Sequence, residues 1–305
     1  MSQRHRILPD VRIRDPYILP DPATRTYYLV TSRTWLGPRS HGVDVYTGPD
    51  LQDWSGPQPV FEVQPGFWGS EAVWAPEMHA YRGRYYLFVT FTGKEELGEQ
   101  RPNWSKLVRR GTQVLVADSP FGPFRPFQNR AHTPADWMAL DGTLWIEDDK
   151  PYMVYCHEWI QVEDGTMEMV RLSGDLSDIE GESVTLFHAS EAPWGTGLRN
   201  RANAYVTDGP FLYRTKADRL LMIWSSFGAG GYTTGIAYSE TSKLRGPWRQ
   251  QVTPLFAADG GHSMVFRCFD GTLMLALHQP NRGPDERAIL LPLEDTGETV
   301  RIMAE

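Results

Sequence analysis

The sequence predicts an all-β protein that folds as a five-bladed β-propeller in a single domain. Three observations support this: short apolar runs separated by turn residues, one strand–turn–strand unit written five times, and the lack of helical periodicity. Nowhere in the 305 residues does an apolar repeat of 3.6 persist, so no helical layer is expected to cover a sheet. A strand–turn–strand unit with its following strands is too short to fold as an independent domain, and five such units fit five blades of about four strands each.

The first unit spans residues 11–31, VRIRDPYILPDPATRTYYLVT. Alternating apolar residues lead into a Pro/Asp/Ala/Thr turn, and a second apolar run at 27–30 leads out of it. This pattern predicts a β-hairpin with Asp15 at the mouth of its first strand. A third strand is expected within residues 42–54.

Four further hairpins of the same kind follow along the chain. They occupy residues 74–93, 138–159, 206–226 and 260–278, each with a later strand and a turn. The predicted blades are therefore 11–60, 70–128, 137–188, 204–250 and 258–303. In such a ring the first strand of each blade lines the central channel and starts at one common mouth, where the second strand ends.

Composition narrows the classes of partner. A net charge of −8 argues against nucleic acid, because binding phosphates requires a basic surface. Eleven tryptophans and thirteen tyrosines suit a protein that stacks on the apolar faces of sugars, but they also fill β-sheet cores. No run of about 18 apolar residues is present, so no membrane contact is expected.

The expected location is cytoplasmic, and the expected state is a monomer or weak oligomer. The N-terminal residues lack the apolar stretch and cleavage site of a signal peptide, although a trimmed chain could be secreted. The two cysteines, Cys156 and Cys268, each lie in an apolar run. Two free thiols in a reducing compartment are predicted rather than a disulfide.

Three acids occupy what we interpret as equivalent positions at the mouth: Asp15 in the first blade, Asp141 in the third and Asp208 in the fourth. Each alone is an ordinary turn residue in an Asp-Pro or Asp-Gly dipeptide. Together they would converge on one pocket, where burial and like charge separate their pKa values. Glycosidic hydrolysis needs such a set: an ionised base, a protonated acid and a group that tunes the acid.

Five motifs in order resemble glycoside hydrolase family 43, and the resemblance covers essentially the whole chain. They are RDPYI at Asp15, WAPEMH at Trp74, LDGTLWIEDDKPYMVY at Asp141, TDGPFLYR at Asp208 and GGHSMVF at His262. The resemblance implies a five-bladed propeller that acts on arabinofuranosides, xylosides and related sugars with inversion of configuration.

The resemblance also implies roles for individual residues. Asp15 would be the general base that activates a water, and Asp141 would raise the pKa of the acid and orient it. His262 would help to hold a metal ion, usually calcium, in the central channel. Trp74 is expected to contribute to the apolar platform of a sugar subsite, and Arg287 resembles an active-site arginine of the last blade.

The chain departs from the family pattern at the general acid. The family usually has Glu in an E-G-P triplet, and here the triplet is Asp208-Gly209-Pro210. Because Asp is one methylene shorter, its proton would lie about 1–1.5 Å further back, a displacement that matters for catalysis. Either Asp208 donates the proton across a tighter pocket, or Glu158, at the end of the third blade's second strand, does so. Glu158 could instead pair with an arginine such as Arg201.

The predicted function is an inverting, exo-acting glycoside hydrolase, with α-L-arabinofuranoside as the first substrate and xylosides or related sugars after it. The substrate is expected to be a plant-type oligo- or polysaccharide. One calcium ion and no organic cofactor are expected. The alternatives are a β-D-galactofuranosidase or galactosidase of the same fold, and a non-catalytic carbohydrate-binding propeller that has lost its acid. The polar run at 94–110 is expected to form a long loop that walls the pocket.

Overall fold

The computed structural model describes residues 5–33, 41–201 and 203–303, with only the backbone of His5. Its strands form five antiparallel sheets, and the innermost strand of each sheet contacts the innermost strand of the next. The innermost strand of the last sheet in turn contacts that of the first sheet, so the ring is closed. This architecture confirms the predicted five-bladed β-propeller.

The strands follow the chain from blade to blade. Blade 1 contains β1 (His5–Ile7), β2 (Tyr17–Asp21), β3 (Thr26–Ser32), β4 (Gly42–Gly48) and β5 (Asp53–Glu62). Blade 2 contains β6 (Ala72–Tyr81), β7 (Arg84–Glu96), β8 (Val108–Ala117) and β9 (Arg125–Pro126). Blade 3 contains β10 (Ala139–Glu147), β11 (Lys150–His157), β12 (Thr166–Leu172) and β13 (Ile179–His188). Blade 4 contains β14 (Asp208–Arg214), β15 (Leu220–Gly228), β16 (Gly231–Ser239) and β17 (Trp248–Gln250). Blade 5 contains β18 (Gly261–Arg267), β19 (Leu273–Gln279), β20 (Arg287–Asp295) and β21 (Val300–Ile302).

The second strand of each blade is an almost continuous apolar run because neighbouring blades cover both of its faces. In β7, for example, eight consecutive residues are buried. Helix is confined, within the described residues, to α1 (Trp159–Val162) and short 3₁₀ turns, as the missing helical periodicity predicts. No described helix has the length and apolar character of a membrane span. Both cysteines are free thiols, Cys156 buried and Cys268 half-buried, so the expectation of no disulfide agrees with the structure.

The N-terminal segment closes the ring against the last blade. Its short strand β1 pairs with β5 at the outer edge of blade 1, an element that the sequence pattern did not predict. Further along, the N–H of Ile13 donates to the carbonyl of Glu286. The backbones of Arg12 and Arg287 form an isolated antiparallel β-bridge. One apolar cluster joins residues of blades 1, 2 and 5 across this junction.

The first strands share a break near the mouth, where one residue adopts a left-handed backbone. These residues are Asp15 (φ 51), Ala75 (φ 41), Asp141 (φ 56), Gly209 (φ 48) and His262 (φ 53). In β6, β10, β14 and β18 the pairing register with the second strand shifts at this point, which is a β-bulge. Bulges re-aim side chains, so the break directs these positions toward the mouth.

The bulge corrects one part of the sequence interpretation. Asp15 and Asp141 occupy the left-handed position, but in blade 4 that position belongs to Gly209. Asp208 precedes it and pairs with Ser225 before the register shift, just as Leu140 pairs with Cys156 in blade 3. The three acids are therefore not strictly equivalent, because the Asp-Gly dipeptides of blades 3 and 4 are offset by one residue.

Candidate active site

A cavity of about 490 Å³ opens at the mouth, within the size range of small-ligand sites. Six of the seven residues singled out from the sequence line it: Asp15, Trp74, Asp141, Glu158, Asp208 and His262. The seventh, Arg287, does not. Blades 1, 2, 3, 4 and 5 all contribute a residue, so the ring converges the predicted acids on one pocket.

Asp15 is held as a carboxylate. Its Oδ1 lies 3.4 Å from Nδ1 of His262, and its Oδ2 lies 3.6 Å from Nε of Arg14. Burial by itself raises the pKa of Asp15, but the charges of His262 and Arg14 outweigh it and hold that pKa well below its usual range. The ionised form of Asp15 is therefore favoured throughout the physiological range.

The oxygen Oδ1 of Asp15 faces two imidazole rings, those of His262 and His278. Nδ1 of His278 lies 3.2 Å from this oxygen and also accepts the N–H of Asp15 over 3.2 Å. Oδ1 of Asp15 is buried and has no hydrogen-bond partner within the described part of the chain. A buried carboxylate oxygen without a donor is suited to bind and deprotonate a water.

Asp208 has the opposite character. Burial, followed by the charge of Asp141, raises the pKa of Asp208 to about 8. Its Oδ2 accepts a hydrogen bond of 2.9 Å from the hydroxyl of Tyr232. A hydrogen bond with Asp141 adds to this rise in the pKa of Asp208. Asp208 is thus kept protonated and oriented at neutral pH, as a general acid requires.

Asp141 connects the two. Its Oδ2 accepts the N–H of Gly209 over 3.1 Å, and its own N–H donates to Oγ1 of Thr90 over 2.7 Å. Burial raises the pKa of Asp141 to about 7, the hydrogen bond from Asp208 lowers it, and the charge of Asp15 raises it. Because Asp141 and Asp208 each shift the pKa of the other, they titrate as a pair rather than as independent acids.

Gly209 makes this pairing possible. A Cβ on Gly209 would lie 2.8 Å from Cγ of His262, and the backbone φ of 48° is one that favours glycine. The close approach brings the N–H of Gly209 to Asp141 and places Asp208 beside it. The Asp-Gly dipeptide, first interpreted as a turn, is therefore a requirement of the pocket.

Glu158 lies in the same cavity but is bound to a cation. Its carboxylate forms a buried salt bridge with Arg110, not with Arg201, whose guanidinium donates to the carbonyl of Asn103 over 2.6 Å. Burial raises the pKa of Glu158, and Arg110 lowers it. Arg110 also donates to Oγ1 of Thr92 over 3.0 Å. The alternative that Glu158 pairs with an arginine is therefore correct, but the partner is Arg110 and not Arg201.

Arg110 links Glu158 to the predicted sugar platform. Its guanidinium carbon lies 4.2 Å from the ring centroid of Trp74, which is 36% exposed and lines the cavity. The ring thus has one face against a cation and part of its surface open to the pocket. This position is compatible with the expected contact between Trp74 and a sugar.

Arg287 requires a correction. Its guanidinium donates to the carbonyls of Pro9, Pro284 and Glu286 at 2.8–3.1 Å, so it fastens the N-terminal segment to the last blade. The arginine that does line the cavity is Arg14, adjacent to Asp15. The reason is the antiparallel bridge between Arg12 and Arg287, which places Arg287 at the ring closure.

Sequence reasoning missed Arg14, Tyr232 and His278. Arg14 could have been found, because it directly precedes the acid in the RDPYI motif. Tyr232 starts the third strand of blade 4 and His278 lies near the end of the second strand of blade 5, with no motif that marks them. Their rings stack at a centroid distance of 5.5 Å and an angle of 23°.

The donors around His262 do not form a calcium cage. Nδ1 of His262 faces Asp15 and lies 3.7 Å from Oδ2 of Asp141, and the channel beside Glu77 leaves only about 10 Å³. No cluster of three or more His, Cys, Asp or Glu side chains in the described ranges could hold a metal ion, whereas Ca²⁺ takes about six to eight oxygen ligands. The calcium expectation stays a prediction for metal analysis of the purified protein, and no catalytic step is routed through it.

Comparison with known proteins places these features in a family. A sequence model described as glycosyl hydrolases family 43 matches residues 8–302. An endo-arabinase structure from Bacteroides thetaiotaomicron VPI-5482 is 38% identical, with a TM-score of 0.85 over 96% of this chain and 98% of that chain. No curated protein sequence matches.

Two more distant structures share the fold. An α-L-arabinofuranosidase from Lactobacillus brevis is 20% identical, with a TM-score of 0.76 over 98% of both chains. An endo-1,4-β-xylanase from Bacteroides thetaiotaomicron VPI-5482 is 21% identical, with a TM-score of 0.75 over 100% of this chain and 97% of that chain. At these identities the similarity establishes the architecture alone.

Proposed function

The chain belongs to glycosyl hydrolase family 43, and from that premise we propose that it hydrolyses α-L-arabinofuranosidic bonds with inversion of configuration. The observation that carries the proposal is that Asp15 and Asp208 line one cavity in opposite surroundings: His262 and Arg14 favour the carboxylate of Asp15, whereas burial and Asp141 favour the protonated form of Asp208. The choice of arabinose is supported by the endo-arabinase at 38% identity. The substrate is an arabinose-containing oligo- or polysaccharide.

In the proposed reaction Asp15 removes a proton from a water on the sugar face opposite the leaving group. The water oxygen forms a bond to the anomeric carbon while the bond from that carbon to the glycosidic oxygen breaks. Asp208 gives its proton to the departing oxygen. The net result is a free sugar of inverted configuration, with Asp15 protonated and Asp208 ionised until the two acids exchange protons with solvent.

Asp141 and Tyr232 position the acid in this scheme. The charge of Asp141 and its hydrogen bond with Asp208 keep the pKa of Asp208 high. Tyr232 holds the other oxygen. Inversion further predicts that the carboxyl groups of Asp15 and Asp208 lie about 6.5–9.5 Å apart when substrate is bound.

Two modes of action remain candidates. Release of terminal arabinofuranose, the exo mode, is expected from the sequence interpretation. The endo mode is favoured by the 38% identical endo-arabinase, whose chain this one covers almost completely. Product analysis on linear arabinan separates them, because exo action yields arabinose from the start and endo action yields a ladder of oligosaccharides.

The test of the proposed function is a panel of nitrophenyl α-L-arabinofuranoside, β-D-xyloside and β-D-galactofuranoside, together with arabino-oligosaccharides. Turnover of the arabinofuranoside, with the inverted anomer seen first by proton NMR, is the expected result. Preference for the galactofuranoside would mean that galactofuranose, and not arabinofuranose, is the sugar that the protein releases. Calorimetric binding of oligosaccharide without turnover of any substrate would identify a carbohydrate-binding propeller and overturn the proposal.

A further inference from the structure

Glu286 is a buried carboxylate that the proposed reaction does not use. It directly precedes β20 in the last blade, and only 3% of the residue is exposed. Burying an unpaired carboxylate is costly, so a charge at this depth needs cationic partners. Two arginines of the N-terminal segment, Arg12 and Arg14, are those partners. The carboxylate therefore joins the last blade to the short segment that carries Asp15.

The two oxygens of Glu286 face different arginines. Oε2 accepts hydrogen bonds from Nε and Nη2 of Arg12 over 3.0 and 2.8 Å. Oε1 accepts a hydrogen bond from Nη1 of Arg14 over 3.1 Å. Arg14 lines the catalytic cavity, and Arg12 does not. One side of the carboxylate thus contributes to the closure of the ring, and the other side holds a residue of the catalytic site.

Asn281 is a second anchor for Arg14. Its Oδ1 accepts a hydrogen bond from Nη1 of Arg14 over 2.8 Å and lies 3.3 Å from Nε2 of His278. Because Nδ1 of His278 accepts the N–H of Asp15, the neutral ring carries its proton on Nε2 and donates it to Asn281. One amide oxygen therefore holds two of the side chains that flank Asp15.

The anchors fix a side chain that is partly open to solvent. The side chain of Arg14 is 41% exposed, and a long exposed side chain has many rotamers unless it is bound. Because the guanidinium is planar, the bonds to Nη1 also set the direction of Nε, which lies 3.6 Å from Oδ2 of Asp15. A displacement of about 1 Å in a catalytic group can cost about 10²-fold in rate, so this support matters for the base.

We propose that Glu286 and Asn281 are positioning residues for the general base. They act through Arg14, which they hold against the carboxylate of Asp15. This inference rests on the proposed function, in which Asp15 activates the water. The base acts on the water and not on the bound sugar, so the loss of this support lowers kcat and leaves KM nearly unchanged.

The first test is Glu286→Gln, which keeps the size of the side chain and removes its charge. The measurement is kcat and KM on nitrophenyl α-L-arabinofuranoside. We expect kcat to fall at least tenfold, with KM within twofold of the wild-type value. The matched control is Arg12→Leu, which removes the other partner of the same carboxylate and leaves Arg14 in place. It should keep the wild-type kcat, even where it lowers the stability of the ring.

A double-mutant cycle separates positioning from a general loss of structure. Arg14→Met alone is expected to lower kcat about as much as Glu286→Gln does. If Glu286 acts through Arg14, adding Glu286→Gln to Arg14→Met changes kcat by less than twofold. An equal loss in both backgrounds would mean that Glu286 only supports the fold, and it would overturn the proposal.

Asn281 gives an independent test that does not remove a buried charge. Asn281→Ala deletes the accepting oxygen and should lower kcat at least fivefold, again with little change in KM. Asn281→Asp keeps an oxygen at the same position and should restore most of the loss. Asn129→Ala is the matched control, because Oδ1 of Asn129 accepts the N–H of Trp68 outside the catalytic cavity and its removal should leave both constants unchanged.

The results distinguish the positioning proposal from the proposed function. If the wild-type protein cleaves the arabinofuranoside and both Glu286→Gln and Asn281→Ala keep its kcat, the positioning proposal is wrong while the proposed function stands. If the wild-type protein cleaves no arabinoside, the proposed function fails and the positioning proposal fails with it.

Discussion

Tyr232 donates its hydroxyl proton to Oδ2 of Asp208 over 2.9 Å, from the third strand of the blade whose first strand carries the acid. The ring that carries this hydroxyl has little freedom. It stacks on His278, and a Cβ on Gly261 would lie only 2.6 Å from it. The orientation of the proposed acid is therefore set jointly by blades 4 and 5.

Removal of this hydroxyl should change both the rate and the pH profile. A hydrogen bond donated to a carboxylate favours the ionised form, so Tyr232→Phe is expected to raise the pKa of Asp208 and move the alkaline limb of kcat/KM to higher pH. The loss of orientation is expected to lower kcat about tenfold. Tyr213→Phe is the matched control, because it removes a 2.8 Å bond from Tyr213 to Asp295 and should leave the profile unchanged.

The wild-type enzyme should be active over a broad acidic and neutral range. Asp15 must be ionised, and its pKa lies well below the usual range, so the acid limb falls at low pH. Asp208 must be protonated, and its pKa of about 8 places the alkaline limb near there, blurred by coupling to Asp141 at about 7. An alkaline limb centred near pH 5 in a kcat/KM profile would contradict the assignment of Asp208 as the acid.

The raised pKa of Asp208 also predicts a cost in stability at high pH. A group whose pKa is higher in the folded state binds its proton more tightly there, so its contribution is present below the unfolded pKa of 3.8 and declines as pH rises to about 8. Asp208→Asn removes that decline and should raise the free energy of unfolding at pH 9 by on the order of 1–3 kcal/mol, after allowance for coupling to Asp141.

Urea denaturation of wild type and Asp208→Asn at pH 5 and pH 9 measures this effect. The stability advantage of the variant should be larger at pH 9 than at pH 5. Substitution of the exposed Glu182 by Gln serves as the control and should show no such difference. An advantage of Asp208→Asn that is equal at both pH values would mean that Asp208 titrates normally.

Glu158→Gln should act mainly through the buried charge of Arg110. Without its partner the guanidinium of Arg110 is left uncompensated, and breaking a buried ion pair from one side typically costs about 3–5 kcal/mol. Urea denaturation is expected to show a loss of this size. The double variant Arg110→Met/Glu158→Leu should recover most of it, because neither charge then remains buried. A single variant as stable as wild type would show that the salt bridge is unimportant.

The five-bladed ring and most residues of its site could be predicted from the sequence, because both follow from the repeated hairpin unit. Five hairpins with similar turns predict five blades, and blade geometry converges Asp15, Asp141 and Asp208 on one mouth. Contacts that depend on three-dimensional offsets were not accessible. A bulge makes Gly209, rather than Asp208, the structural counterpart of Asp141. The sequence pattern of apolar and turn residues gives no sign of this offset. Likewise, Arg110 reaches Glu158 from another blade, 48 residues away.

Short or isolated elements were also beyond prediction. Strand β1 has three residues, too few to show alternation, and pairs with β5. Arg287 carried a plausible motif position, yet the bridge to Arg12 draws it into the ring closure. Arg14 lines the cavity instead, and its position next to Asp15 in the sequence is the signal that could have identified it.

The identity of the general acid is the central claim, and dependence on the leaving group tests it most directly. Aryl α-L-arabinofuranosides with leaving-group pKa values from about 4 to 10 are compared for wild type, Asp208→Asn and Glu158→Gln. If Asp208 donates the proton, Asp208→Asn loses about 10²–10⁴-fold on poor leaving groups and little on good ones, while Glu158→Gln keeps the wild-type slope. A steep slope for Glu158→Gln together with a flat one for Asp208→Asn would contradict the account.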